Sequence, residues 1–100
     1  MQQKNEERAV NRDQFSETLR VGKFNEVLEK SLPPSDHNAA HSHAFDVRAL
    51  VTQGEITLTI DGVATPYREG DIFMLAAGCE HIEDVGSEGV TYLVGWRYVM

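Results

Sequence analysis

One hundred residues make a single domain and leave no room for a second. The 41% hydrophobic share is too high for a disordered chain, and a formal net charge of -7 argues against a nucleic-acid or anionic-membrane partner. The lone cysteine, Cys79, cannot form an internal disulfide, no apolar run reaches the roughly 18 residues that span a bilayer, and the N-terminus lacks the apolar stretch of a secretory signal, so a soluble cytoplasmic protein is expected.

Met1 to Arg12 is almost wholly polar and reads as a solvated leader. A short helix is expected next, with Phe15 and Leu19 four residues apart, Asp13 capping its start and Gly22 ending it. The organisation is thus a leader and helix over residues 1–22 and a β domain over 23–100. Phe24 to Leu32 fits helix or strand; strand is the reading taken, and Pro33-Pro34 ends it either way. Ser35 to Ala40 reads as a flexible loop. Val47 to Val51 is β-branched, Glu55 to Ile60 alternates polar and apolar residues, and Asp61-Gly62 is a two-residue hairpin signal. A turn at Glu69-Gly70-Asp71 leads to Ile72–Leu75, and Ser87-Glu88-Gly89 precedes a last strand, Val90 to Val99. Short strands at this spacing predict an all-β sandwich or barrel.

Four histidines stand at 37, 41, 43 and 81. In a strand, residues two apart share a face, so His41-Ser42-His43 would project two imidazoles side by side, as a metal needs. An HxH in a loop can be a merely solvated pair; a place between a Pro-Pro turn and a β-branched strand favours the ligand reading. His81, three residues past Gly78, can bring a third imidazole across from another strand. Ser42 forms no nucleophilic triad, because strand neighbours face opposite ways. Arg48, Arg68 and Arg97 are isolated and read as surface charges.

His41-Ser-His43 through Gly54 resembles the first signature of the cupin superfamily, and Gly70 through Gly78 to His81 resembles the second, with the Asp61-Gly62 hairpin between them. The resemblance covers roughly residues 24 to 98. It implies a small jelly-roll β-barrel of cupin type, with a short N-terminal helix, holding a divalent transition metal (iron, zinc, nickel, manganese or copper) through His41, His43 and His81. The sequence departs from the signatures in several places. Val47 stands where the family usually has its metal-binding Glu, Ala76 replaces a proline, and the glycine before the HxH is missing, its turn left to Ser35 or Asp36.

Other groups can approach the metal. Glu83 has the parity of His81 and is the better candidate for a fourth ligand, though a solvated strand residue is the reading preferred. Asp46 should face the other way, and His37 is not expected at the site. Cys79 is a small half-buried residue or a thiolate ligand that would favour zinc. Phe45, Val47, Met74 and Trp96 are expected to line the pocket or to be plain core. With three neutral ligands the metal keeps its full charge, which suits a small anionic ligand. Two function classes follow: a metal-dependent enzyme, such as a dioxygenase or isomerase, or a non-catalytic module that binds or senses a small molecule or metal, the barrel holding an empty metal site being a further variant. The apolar residues Phe15, Leu19, Phe24, Val27 and Leu28 exceed what a small barrel needs, which leads to the expectation of a homodimer.

Overall fold

The structure, a computed structural model, describes residues 12–25 and 27–98; most of the polar leader, residues 1–11, lies outside them. In chain order come α1 (Arg12–Val21), β1 (Leu28–Leu32), β2 (His37–His41), β3 (Phe45–Ile60), β4 (Val63–Arg68), β5 (Ile72–Leu75) and β6 (His81–Tyr98). All pairs are antiparallel, in the order β1-β6-β3-β4, with β2 also on β6 and β5 also on β3.

Arg12 is already helical, so Asp13 lies inside the helix and is not its cap. Its end is a Schellman motif built on Lys23, not on Gly22. Lys23 has φ 62°, its N–H donates to Arg20 O at 3.0 Å, and Phe24 N–H donates to Leu19 O at 2.9 Å. At the hairpin, Asp61 and Gly62 have φ 51° and 80°, the pair of positive values that a type I′ turn requires.

Two long strands organise the rest. β3 (16 residues) and β6 (18 residues) pair along most of their length, and the register shifts twice, between Val51 and Gln53 and between Gly54 and Ile56. There the ladder bends. One half joins Phe45–Gly54 to the end of β6, flanked by β1 and β5; the other joins Ile56–Thr59 to its start, flanked by β2 and β4. Gly54 sits at the bend because nothing larger fits: it has φ +79°, and a Cβ would lie 2.0 Å from Gly89 O.

The inner faces of the two halves close on one core, which includes Val51, Ile56, Leu58, Phe73, Val85 and Tyr92. The sheet keeps edges at β1 and β4, so this is an all-β jelly roll with a short N-terminal helix and not a closed barrel. The helix covers the outer face of the first half, with Phe15 and Leu19 buried against Leu50 and Leu93 and with Phe24 and Val27 packed beside them. Each such side chain contributes roughly 1.5–3 kcal/mol. Gly95 makes the seat, since a Cβ there would meet Leu19 at 2.8 Å. Four of the five apolar residues that suggested a homodimer are thus used within the chain; only Leu28 of that set is left 49% exposed.

Arg97 fastens this end, correcting its reading as a surface charge. Its guanidinium donates to Asp46 Oδ2 at 2.8 and 3.2 Å and to Gly22 O at 2.7 Å. It also lies 4.5 Å from the Phe24 ring centroid, with Arg48 5.0 Å from the same ring, so Arg48 is no isolated surface charge either. Arg97, helped by the Ala77 N–H, holds the Asp46 carboxyl below the usual carboxylate range.

Candidate metal centre

Three strand ends meet at the site. His41 closes β2 and stands directly across from His81, the first residue of β6. His43 lies in the short connection to β3, so the HxH straddles a strand end where a single strand was expected. Ser35 to Ala40 is likewise no loop beyond its first residues: Ser35 takes φ 58° at the turn, in place of the missing glycine, and β2 follows from His37.

The imidazoles are close. Ring centroids are 4.4 Å apart for His41 and His81, 5.0 Å for His41 and His43, and 5.4 Å for His43 and His81. His43 also stacks on Phe45 at 4.9 Å. His81 is buried, and burial, followed by the neighbouring His41 and His81, pushes the His43 imidazole below its ordinary range.

The fourth member is Glu83. One ligand atom from each of His41, His43, His81 and Glu83 lies within 4.8 Å of all the others. The carboxylate is not solvated, as its strand position suggested; its side chain is 15% exposed. Glu83 Oε2 stands 3.2 Å from His81 Nε2 and 3.7 Å from His41 Nε2, while Oε1 accepts from Asn38 Nδ2 at 3.0 Å. Asn38 pairs with Glu83 across β2 and β6, so it fixes the carboxylate's orientation. The reading of residues alone missed Asn38; a strand at 37–41 was the signal that would have found it.

The ring tautomers follow from the partners. His41 Nδ1 donates to Ala39 O at 2.7 Å and His81 Nδ1 to Cys79 O at 3.0 Å. A carbonyl can only accept, so in the neutral rings both Nε2 atoms carry lone pairs, and these face Glu83. Two ligands each about 2.1 Å from one ion stand about 3.0–3.4 Å apart, the separation seen between Glu83 and His81. The carboxylate that stands among the three imidazoles is thus Glu83 on β6, while β3 carries Val47 at the signature's carboxylate position.

Other expected residues fall where parity and packing put them. Phe45, Val47 and Trp96 border a cavity of about 800 Å³ together with His41, His43 and Glu83. Val47 therefore faces the site, and Asp46 the opposite side with Arg97. Met74 does not line the cavity: it is 62% exposed, and its strand neighbours Phe73 and Leu75 point inward instead. The Cys79 thiol packs against the core edge outside the group of four, and only its carbonyl serves the site, through His81. His37 pairs with Asp84 at 2.6 Å on the exposed surface. Tyr92, also on the cavity wall, has its phenol pushed up to about 12 by burial and by Glu83, so it stays protonated.

The cupin-domain family model matches residues 28–94, and the chain belongs to that family. Among curated proteins no sequence matches it. Solved structures similar to it include a protein of unknown function from Rhizobium leguminosarum bv. viciae 3841, at TM-score 0.70 and 16% identity over 79% of this chain and 74% of that one. A cupin superfamily protein from Desulfitobacterium hafniense DCB-2 aligns at TM-score 0.62 and 19% identity, over 75% and 80%. An RmlC-like cupin from Shewanella frigidimarina NCIMB 400 aligns at 0.63 and 18%, over 74% and 66%. At these identities the likeness is one of fold. Among the described residues no helix is long and apolar enough to cross a membrane.

Proposed function

We propose that this chain is a metal-binding cupin that holds one divalent transition metal with His41, His43, His81 and Glu83 and receives a small molecule in the adjoining cavity. One observation carries the reading. His81 Nε2 and Glu83 Oε2, both acceptors when the ring is neutral, face each other at 3.2 Å, and the other ring nitrogen is already committed to Cys79 O. A proton can relieve that contact for one such pair, whereas a cation relieves it for all four groups. Three imidazoles and one carboxylate suit iron, zinc, nickel, manganese or copper, and with Glu83 bound the ion's charge falls to +1.

A metal bound here would act as a Lewis acid toward a ligand entering from the cavity. The chain's own residues do the rest. Asn38 and the Ala39 and Cys79 carbonyls hold the ligands in orientation. Phe45, Val47 and Trp96 provide apolar wall on one side of the cluster. Ligand binding without turnover is the function proposed; a dioxygenase or isomerase is the variant that oxygen uptake by the iron-loaded protein tests.

Elemental analysis of protein purified without added metal is the deciding experiment. Wild type should carry close to one ion per chain, and His41→Ala and His81→Ala should lose most of it while His37→Ala keeps it. Full retention in both of the first two variants, or no uptake by wild type from any of the five metals, would sink the proposal.

A further inference from the structure

The β1–β6 register sets Lys30 directly across from Tyr92, in the inward row where Leu28 faces Val94 and Leu32 faces Val90. Both residues border the cavity that holds His41, His43 and Glu83. Tyr92 is 6% exposed, yet its hydroxyl has no hydrogen-bond partner among the described residues, and the Lys30 ammonium has no ion-pair partner there. The oxygen is not sealed off: among the described residues Arg48 Nε is the buried side-chain polar atom left without a partner, so the Tyr92 hydroxyl opens on the cavity and is free to bond a ligand there. The nearest aromatic, Phe73, meets the Tyr92 ring at 5.5 Å edge to face, a contact that phenylalanine would make as well. The hydroxyl therefore has no role in the fold.

We infer that Lys30 and Tyr92 form a carboxylate subsite, and that the cavity takes a small monocarboxylate with an apolar body whose charged end they hold beside the histidine–glutamate cluster. The reading rests on the proposed metal for the positive field around the cluster. Charge on the wall limits the ligand to one negative charge. Among the described residues Lys30 is the one lysine or arginine bordering the cavity, and Glu29, Asp36 and Glu83 border it as well. A dianion such as phosphate would meet these acids with a single lysine to offset them. The remaining wall, Phe45, Val47, Leu75, Val94 and Trp96, suits a hydrocarbon or aromatic body, and the volume of about 800 Å³ is that of an ordinary small-molecule site.

Calorimetric titration of zinc-loaded protein with benzoate, benzamide and inorganic phosphate tests this. Wild type should bind benzoate, with benzamide and phosphate at least about tenfold weaker. Tyr92→Phe and Lys30→Met should each weaken benzoate by roughly tenfold to a hundredfold, as loss of a hydrogen bond to a charged group does. Zinc content should be unchanged in both, and Tyr92→Phe should melt no lower than wild type. Benzoate affinity within about twofold of wild type in both variants overturns the subsite, and benzamide or phosphate binding as tightly as benzoate overturns the ligand class. If wild type takes up no zinc, the metal reading falls by itself. The same benzoate comparison on metal-free wild type and Tyr92→Phe then decides the subsite, equal or absent binding overturning it.

Discussion

Replacing Glu83 by glutamine keeps the side chain's shape, removes one charge, and should move two properties in opposite directions. In the free protein Glu83 Oε2 faces acceptor nitrogens, His81 Nε2 at 3.2 Å and His41 Nε2 at 3.7 Å, while Oε1 accepts from Asn38 at 3.0 Å. Glutamine can leave its carbonyl oxygen on Asn38 and turn its amide N–H toward His81, converting an acceptor–acceptor contact into a hydrogen bond. One such bond is worth about 0.5–1.5 kcal/mol. At about 4–8 °C per kcal/mol for a domain of this size, the metal-free variant should melt about 2–12 °C above wild type at pH 8.5, well above the ordinary imidazole range. With metal the order reverses. Losing an outer partner of a ligand already costs roughly 10–100-fold in affinity, so losing a charged ligand itself should cost at least about 100-fold. Zinc should therefore raise the Tm of wild type far more than that of Glu83→Gln, since the stabilisation follows the ratio of ligand concentration to Kd. Paired melts in EDTA and in excess zinc, with a zinc competition titration, measure both effects. A variant that melts below wild type without metal, or that binds zinc within about threefold of it, would refute the reasoning.

Gly54→Ala should cost more than about 3 kcal/mol in urea unfolding, because strain at φ +79° adds to a 2.0 Å clash with Gly89 O, whereas Gly78→Ala, at φ +82° with nothing within 4 Å, should cost only about 1 kcal/mol. Equal costs would contradict the bend at Gly54. Leu19→Ala should lose about 2–4 kcal/mol of stability and leave zinc affinity unchanged, since Leu19 packs on the outer face of the sheet, away from the cavity. Asp46 has a lowered carboxyl, so its contribution is complete above the unfolded value of about 4 and is lost as the pH falls through its lower folded value. The stability gap between wild type and Asp46→Asn should accordingly shrink between pH 7 and pH 3, and a constant gap across that range would count against the Arg97 contact.

Where a residue's neighbours along the chain decide its conformation, the sequence was readable. Asp61-Gly62 demands positive φ at both positions and forms the hairpin. Phe15 and Leu19 share a helical face and are buried together. Where a partner distant in sequence decides, it was not. Ile72-Phe73-Met74-Leu75 is apolar throughout, so alternation could not say which pair faces inward; pairing with β3 turns Phe73 and Leu75 to the core and Met74 to solvent. Arg97 looked isolated because its partners, Asp46 and Gly22, are separated from it by 51 and 75 positions. The first half of β6 was hidden by Ser87-Glu88-Gly89, which read as the break before the last strand but lies inside a strand that bends there.

The same division runs through the site. The histidine spacing is local to two short segments and could be seen, although the HxH works across a strand end and not along a strand. The carboxylate could not be assigned from position. Its usual place on β3 holds Val47, and nothing in Glu83's own neighbourhood distinguishes it from a solvated strand residue. What distinguishes it is the register of β2 on β6, which sets Asn38 beside Glu83 and His41 beside His81. That register depends on β2, five residues flanked by turns and rich in small and polar side chains, which carry no periodic signal. Lys30 and Tyr92 were missed for the same reason, since they meet only through the pairing of β1 with β6. Cross-strand register thus brings separate polar residues together here: a glutamate beside the three histidines, and on the adjoining wall two donors, Lys30 and Tyr92, left without a polar partner among the described residues.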